Sequence, residues 1–318
     1  MKKIGLCLSV AFLLLFLVGD AEGENFASVP LFITGESEGS LSIDSPSGSN
    51  VETVAIASNE QDQQGVFKEL GRWSTGSLDV NSNLSGDWSG NTWVSSNRDA
   101  TVNIRYTIIQ DDNNLAAFEF TDVVAAGDTI EITGSSNIEL TNLGTSSLTL
   151  LIEASWTAQP GTPPPAPPAN TTILMEYGSS SRNTGVEISI SHVQIRGGGE
   201  PFVNEGQSEV TIYVKVYSVF GVDQILSNSK NSYELSMGPR DESIWESSVD
   251  SVSEKSSYME IQFLWSYEGR SLPAGDNDYD VSIKVSDILT GDDWSDNRIL
   301  NIYITPKPDV EMDPVSST

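Results

Sequence analysis

The chain is poor in the residues that perform most protein chemistry. Among 318 residues there is one cysteine and one histidine. Cys7 lies inside an apolar leader, so the rest of the chain has no disulfide, no thiol nucleophile and no cysteine-based metal site. A Ser-His-Asp arrangement would have to use His192, and no second histidine exists to complete a metal pair. His192 therefore reads as a strand histidine, hydrogen-bonded where the apolar alternation changes parity. Basic residues are scarce too: 16 Lys and Arg against 45 Asp and Glu give a net charge of −29. Such a surface repels nucleic acid and anionic lipid, both of which are bound by releasing counterions to Lys and Arg. The acids are dispersed through the chain, as in a solvating surface.

Long apolar runs are missing except at the start. Met1-Lys2-Lys3 precedes Ile4–Gly19, which is shorter than the roughly 20 residues of a membrane helix. Small residues at Gly19, Ala21 and Gly23 follow, so residues 1–23 form a signal peptide. Lys2, Lys3, Asp20 and Glu22 leave with it, and the net charge is unchanged. The expectation is a secreted or cell-surface protein with no membrane insertion once the signal is cleaved. The missing disulfides point to a prokaryotic exporter.

What the chain does have is period-two alternation, the signature of half-buried strands. Val102, Ile104, Tyr106 and Ile108 share one face of Ala100–Gln110. The polar turn Asp111–Asn114 leads into Leu115–Thr121 and makes a hairpin. Further strands are predicted at Ser28–Thr34, Val51–Ala57, Asp128–Thr133, Ile138–Thr141 and Ser147–Thr157. Gly35–Asn50 reads as a loop, and Asn59–Leu70 as the place for one short helix. In the second half, Val210–Tyr217 and Met259–Ser266 alternate most sharply. Val186–Arg196 switches parity near Ser191-His192, as a bulge or a crossing between sheets would require.

Between the halves lies Gln159-Pro-Gly-Thr-Pro-Pro-Pro-Ala-Pro-Pro-Ala169, which lacks the N–H groups for a helix or a central strand. It reads as a stiff polyproline spacer holding two domains on the order of 30 Å apart at about 3.1 Å per residue. The expected organisation is all-β: signal peptide 1–23, a β-sandwich over 24–158, linker 159–169, a second β-sandwich over 170–307, and a disordered tail over 308–318.

Trp73, Trp88 and Trp93 fall among Gly, Ser and Asn rather than in a periodic strand. Tryptophans in a sandwich plug the ends of its core, or, exposed in polar loops, stack on sugar rings. These three are the candidate carbohydrate-binding residues. Asn83-Leu84-Ser85 and Asn170-Thr171-Thr172 match the N-glycosylation pattern.

Leu272–Asp287 runs through a Pro/Gly/Asp turn into Tyr279, followed by Val281, Ile283 and Val285 on one face. This segment resembles the tyrosine-corner strand of Ig-like domains, and in particular the penultimate strand of prokaryotic secreted and cell-surface Ig-like modules of the fibronectin-III-like or PKD-like kind. The resemblance is concentrated in residues 258–305 and implies that both domains are Ig-like antiparallel sandwiches, with Tyr279 as the structural corner. Asp276, Asp278, Asp287, Asp292, Asp293 and Asp296 crowd the flanking loops, and calcium, which takes six to eight oxygens, is the cofactor they suggest.

Three functions follow as expectations. The first is a non-catalytic exported protein with a structural, adhesive or protein-interaction role at the cell surface, its partners other surface proteins or glycans. The second is a carbohydrate-binding protein using the first-domain tryptophans. The third is a carboxylate-based glycoside hydrolase, although with so many acids a suitably spaced pair carries no information by itself.

Overall fold

The computed structural model describes residues 26–35, 38–58, 64–159, 170–191, 193–199, 202–204, 209–222, 230, 233–239, 245–246, 248–266, 275–286 and 293–305. Residues 1–23, expected to be a signal peptide, the proline run from 160 to 169, His192 and residues 308–318 lie outside these residues. Every named element is a strand, as the alternation requires. Eleven belong to the first unit: β1 (Ala27–Thr34), β2 (Glu38–Ser42), β3 (Glu52–Ser58), β4 (Lys68–Ser74), β5 (Ser82–Ser96), β6 (Ala100–Gln110), β7 (Asn113–Val124), β8 (Thr129–Leu143), β9 (Thr149–Ala158), β10 (Thr171–Tyr177) and β11 (Gly185–Ile190). Nine form the second: β12 (Val193–Gly199), β13 (Phe202–Asn204), β14 (Glu209–Ser218), β15 (Tyr233–Pro239), β16 (Trp245–Glu246), β17 (Ser248–Glu254), β18 (Met259–Ser266), β19 (Gly275–Ser286) and β20 (Asp293–Thr305).

In the first unit the ladder runs β3-β10-β5-β11-β1-β2-β4-β9-β6-β7, with β8 on the free side of β5. This continuous ladder folds over on itself, bringing β7 against β8 and β3 against β4 without pairing them. Side chains of β4, β6, β7 and β9 meet those of β1, β5, β8, β10 and β11 in one core that includes Trp73, Trp88, Trp156, Tyr106 and Tyr177. Two cross-strand glycines shape this core. Gly90 and Gly134 are register partners on β5 and β8. A Cβ on Gly90 would lie 2.7 Å from the Tyr106 ring, and one on Gly134 would lie 2.3 Å from Phe120. Their missing side chains let Tyr106, Phe118 and Phe120 pack edge to face, with Tyr106 centroids 5.6 and 5.1 Å from the two phenylalanines. The Tyr106 hydroxyl, enclosed by this packing, donates to the Asn91 carbonyl at 2.8 Å and is bonded to Thr92. Burial pushes its pKa well up, because the phenolate would lose its hydration.

The domain boundary differs from the sequence reading. Residues 171–190, placed by sequence in the second domain, are built into the first sheet. β10 pairs on one side with β3 and on the other with β5, while β11 lies between β5 and β1. Pairing changes sheet between Ile190 and Val193, where the parity switch pointed to a crossing. The proline run thus joins two strands of one sandwich. Proline is excluded from a ladder but not from a connection outside it, so composition marked the break in pairing correctly and the domain boundary incorrectly.

Residues 59–63 of the segment expected to hold a short helix lie outside the described residues, and its remainder and the tryptophan loops differ from expectation. Among residues 64–74 there is a turn and then β4, and Ser82–Ser96 is one fifteen-residue strand. Its Gly, Ser and Asn content hides a regular inward set of Leu84, Trp88, Gly90, Thr92 and Val94, interrupted by a bulge at Gly86, whose φ is +97°. Gly35–Asn50, expected as a loop, contains β2. The β6–β7 hairpin is as expected, turning on Asp111 and Asp112, both with positive φ, the conformation of a two-residue primed turn.

The second unit has two sheets, ordered β12-β14-β18-β17 and β13-β20-β19-β15-β16. All pairs are antiparallel except β13 with β20. Ile212, Val214, Val216, Ile261, Phe263 and Trp265 are buried on the inner face of the first of these sheets. The units are docked, not held apart. Val219, just after β14, is fully buried in the first unit's core cluster, and its carbonyl accepts from the Asp79 N–H at 3.0 Å. Gln194 of β12 donates to the Asn81 carbonyl, and Ser191 N–H donates to Asn83.

Candidate functional site

The structure separates the three candidate tryptophans. Trp73 and Trp88 are fully buried, Trp73 meeting Tyr177 edge to face at 5.5 Å. Enclosing an indole removes about 150–250 Å² from water, a gross gain of about 4–6 kcal/mol at ~25 cal/mol per Å². Neither indole N–H finds an acceptor, a cost of about 1–3 kcal/mol that the burial outweighs. Neither offers a ring face to a sugar, so both are core residues. Trp93 points to the other side of β5. It is half-buried, and the Arg182 guanidinium covers its ring at 4.2 Å.

On the side of β5 that Trp93 faces, β8, β5, β11 and β1 form an open groove of about 630 Å³, lined by residues including Phe32, Ser89, Asn91, Asn183 and Glu187. Strand register creates it. Ser135, Ser89, Glu187 and Pro30 fall in one row across the four strands, and Thr133, Asn91, Gly185 and Phe32 in the next. Gly185 carries no side chain because its Cβ would strike the Leu31 carbonyl at 2.4 Å, which leaves the middle of the second row bare. The polar groups here are engaged with one another. Glu187 accepts from Ser28 at 2.6 Å and from Ser89 at 3.2 Å, and Asn91 donates to Glu131 at 3.0 Å and to the Asn183 carbonyl at 3.2 Å. Glu176 accepts from Arg182 at 2.8 Å and from Thr129 at 3.2 Å. This is a hydrogen-bonding surface with an aromatic at its edge, suited to holding a polar ligand.

Two of the first unit's other arginines, Arg72 and Arg105, are likewise bound to carboxylates. Arg105 reaches Glu153 at 2.7 Å and Glu119 at 3.6 Å, and Arg72 reaches Glu69 at 3.1 Å. The hydrogen bonds to Glu153 and Glu69 raise the pKa of each guanidinium further. A second depression of about 500 Å³, beside the β6–β7 turn, is lined by Arg72, Ser74, Asp111 and Asp112 among others.

Of the six aspartates suggested for calcium, the four within the described residues are divided between two ends of one ladder. Asp276 and Asp278 enter the β19–β20 ladder at one end, opposite Tyr303 and Asn301. Asp293 and Asp296 stand opposite Ser286 and Ile283. Ten positions along one strand separate Asp276 from Ser286, about 30 Å at ~3.3 Å per residue, far beyond a shared coordination shell. Asp287 and Asp292 lie outside the described residues. Tyr279 sits on β19 between Leu300 and Pro239. Of the sequons, Asn170 is exposed immediately before β10, and Asn83 is half-buried within β5 opposite Asn142.

No protein-family model matches the chain, and no curated protein sequence does. Several solved structures are similar to about half of it. An aminopeptidase from a marine sediment Thaumarchaeota archaeon has a TM-score of 0.39 at 13% identity, covering 52% of this chain and 37% of that one. A CocE/NonD family hydrolase from Staphylococcus aureus gives 0.38 at 10% identity, covering 52% and 36%. An alpha-amino acid ester hydrolase gives 0.37 at 10%, covering 51% and 36%. The chain thus spans little more than a third of the length of these enzymes, and similarity of this degree brings none of their chemistry to it.

Proposed function

We propose that this protein is an exported, non-catalytic component of a cell surface, with an architectural, adhesive or protein-contact role. We propose also that its second unit is an Ig-like module. The strand order of the second unit carries this reading. Across its first sheet, β12, β14, β18 and β17 correspond in place to strands A, B, E and D of an Ig sandwich. β20, β19, β15 and β16 take those of G, F, C and C′, with the short β13 beside the last strand. Tyr279 falls on the F strand, where a tyrosine corner belongs. The first unit contributes a second sandwich docked through Val219, and at a net charge of −29 the pair offers largely acidic faces.

Such faces suit contact more than turnover, since the acids of the groove are bound to serine, threonine, asparagine and arginine side chains. The glycan-binding alternative no longer has Trp73 and Trp88 to rest on. Fractionation of the source cells tests the proposal. The expected result is protein outside the cytoplasmic membrane whose amino terminus, by mass spectrometry, starts near residue 24. Cytosolic protein retaining Met1 would overturn it.

A further inference from the structure

We infer that the outer face of the four-stranded sheet β12-β14-β18-β17 binds an anionic polysaccharide strand. Along β14, Ile212, Val214 and Val216 point inward, and Tyr213, Lys215 and Tyr217 point out. The outward side chains join an unbroken array across three segments of chain. The Arg196 guanidinium lies 4.8 Å from the Tyr217 ring, Tyr217 stacks on Tyr258 at 5.3 Å, and the Lys215 ammonium lies 4.9 Å from Tyr258. Tyr213 is 40% exposed. Its register partner on β12 is Gly198, which has no side chain to cover the ring.

The charges of this array stand apart from the carboxylate-bound arginines of the first unit. At a net −29, a surface cation has carboxylates in abundance, and Arg72, Arg105 and Arg182 each take one. Among the described residues Arg196 and Lys215 have none within salt-bridge distance. Glu260 stands opposite Lys215 in register, yet it is held by Lys255 at 3.4 Å. Arg196 bonds only the neutral Gln194, at 3.2 Å. A cation lying over a tyrosine ring is oriented without being neutralised, so its remaining N–H groups stay available for charge-assisted bonds to an anion.

The ligand class follows from the shape and chemistry of the strip. Tyr213 leaves its ring open to stack on a sugar. Tyr217, half-buried against the first unit's core, and Tyr258 are covered by one another and by the two cations, whose free N–H groups bind carboxylates or sulfates. Five side chains, three of them on β14 with one each from β12 and the approach to β18, fall short of the roughly 20–30 residues a side that a stable protein interface takes, but they match a linear polymer. Another copy of this chain would bring its own −29. The assignment goes beyond the surface role proposed above and does not depend on it, since polymer binding by purified protein is independent of export.

The test is affinity electrophoresis and calorimetry of the full chain with polygalacturonate, dextran sulfate and neutral dextran. The salt should be about 0.15 M, where the Debye length of about 8 Å screens distant carboxylates. Binding to polygalacturonate or dextran sulfate but not to dextran is expected, and the first two distinguish carboxylated from sulfated ligands. The double variant R196Q/K215Q should lose at least about tenfold in affinity and Tyr213→Ala about threefold to tenfold, while Arg72→Gln, on the first unit, leaves binding intact. Unchanged melting of the variants separates lost binding from lost structure. Absence of polyanion binding, or binding that survives R196Q/K215Q, overturns the proposal. So does concentration-dependent self-association in sedimentation that this double variant abolishes without any polymer binding by the parent chain, because it would assign the face to protein.

Discussion

The two units are both built from antiparallel strands, yet they relate to the chain differently. The second takes nine strands from one continuous stretch, 193–305, and its two sheets can be traced as a simple progression. The first closes only when β10 and β11, arriving after the proline run, fill positions in the middle of its sheet. β11 sets Ile190 opposite Ala27 at one edge and Val186 opposite Gly90 at the other. The difference teaches that a domain ends where its hydrogen-bond ladder ends. A change in composition marks only where the ladder is interrupted. It also shows that a short connection can make two units one: Val219 belongs by sequence to the second unit and by burial to the first.

The most disruptive way to break this comparison is to end the chain at Gln159. β3 would lose its partner, and β5 and β1 their shared one. The expected outcome is no cooperative urea transition by circular dichroism, a loss comparable to the roughly 5–15 kcal/mol of a whole domain. Ending at Ser191 should leave a folded first unit with a lower midpoint. Cooperative unfolding of the shorter chain would refute the pairing account.

Next in size is Val219→Asp. A carboxylate cannot remain unpaired in that site without a cost of several kcal/mol, and undocking the loop relieves it. Calorimetry should resolve two transitions where the parent chain has one. A single transition with an unchanged midpoint would show that the Val219 contact does not couple the units.

Gly134→Ala sharpens the account of the aromatic core. An alanine in a strand ordinarily gains about 0.5–1 kcal/mol over glycine, but here the new Cβ overlaps Phe120. We expect a net loss of about 1–3 kcal/mol. Gly76→Ala, with nothing within 4 Å of the added carbon, is the matched control and should be neutral or stabilising.

The smallest effect is that of Tyr106→Phe, about 1 kcal/mol for the bond to the Asn91 carbonyl and the partner lost by Thr92. The same variant tests pH dependence. Because burial raises the folded pKa of Tyr106 above its ordinary value of 10.0, its contribution is fully present below pH 10 and is lost as pH rises toward the folded value. Tyr106→Phe should therefore weaken the alkaline fall in stability, while Tyr233, also raised by burial, maintains a residual slope in both proteins.

Much of the architecture was legible because alternation reports burial directly. Ala100–Gln110, Thr149–Ala158, Glu209–Ser218 and Met259–Ser266 are strands with the predicted faces inward. β5 was not legible. Its inward set includes Gly90 and Thr92, whose burial depends on a tyrosine from another strand, and no periodicity scale counts a glycine as core. The candidate sites were less legible still. Three tryptophans of like sequence context divide into two core plugs and one outward residue: Trp73 lies on the inner face of β4, and Trp88 and Trp93 lie on opposite faces of β5. The tyrosine–cation face was present in the Val210–Tyr217 alternation as the half facing away from the core. Nothing in the alternation said that Tyr258 and Arg196 would complete it.

Amino-acid order alone determined that this is an acidic, all-β protein whose only cysteine and histidine are Cys7 and His192, because those properties are local or additive. Where the first unit ends, which indoles are enclosed, and which cations lack carboxylates were decided only by tertiary structure. Each depends on strand register, which brings together residues far apart in the chain and assigns every side chain to the core or the solvent.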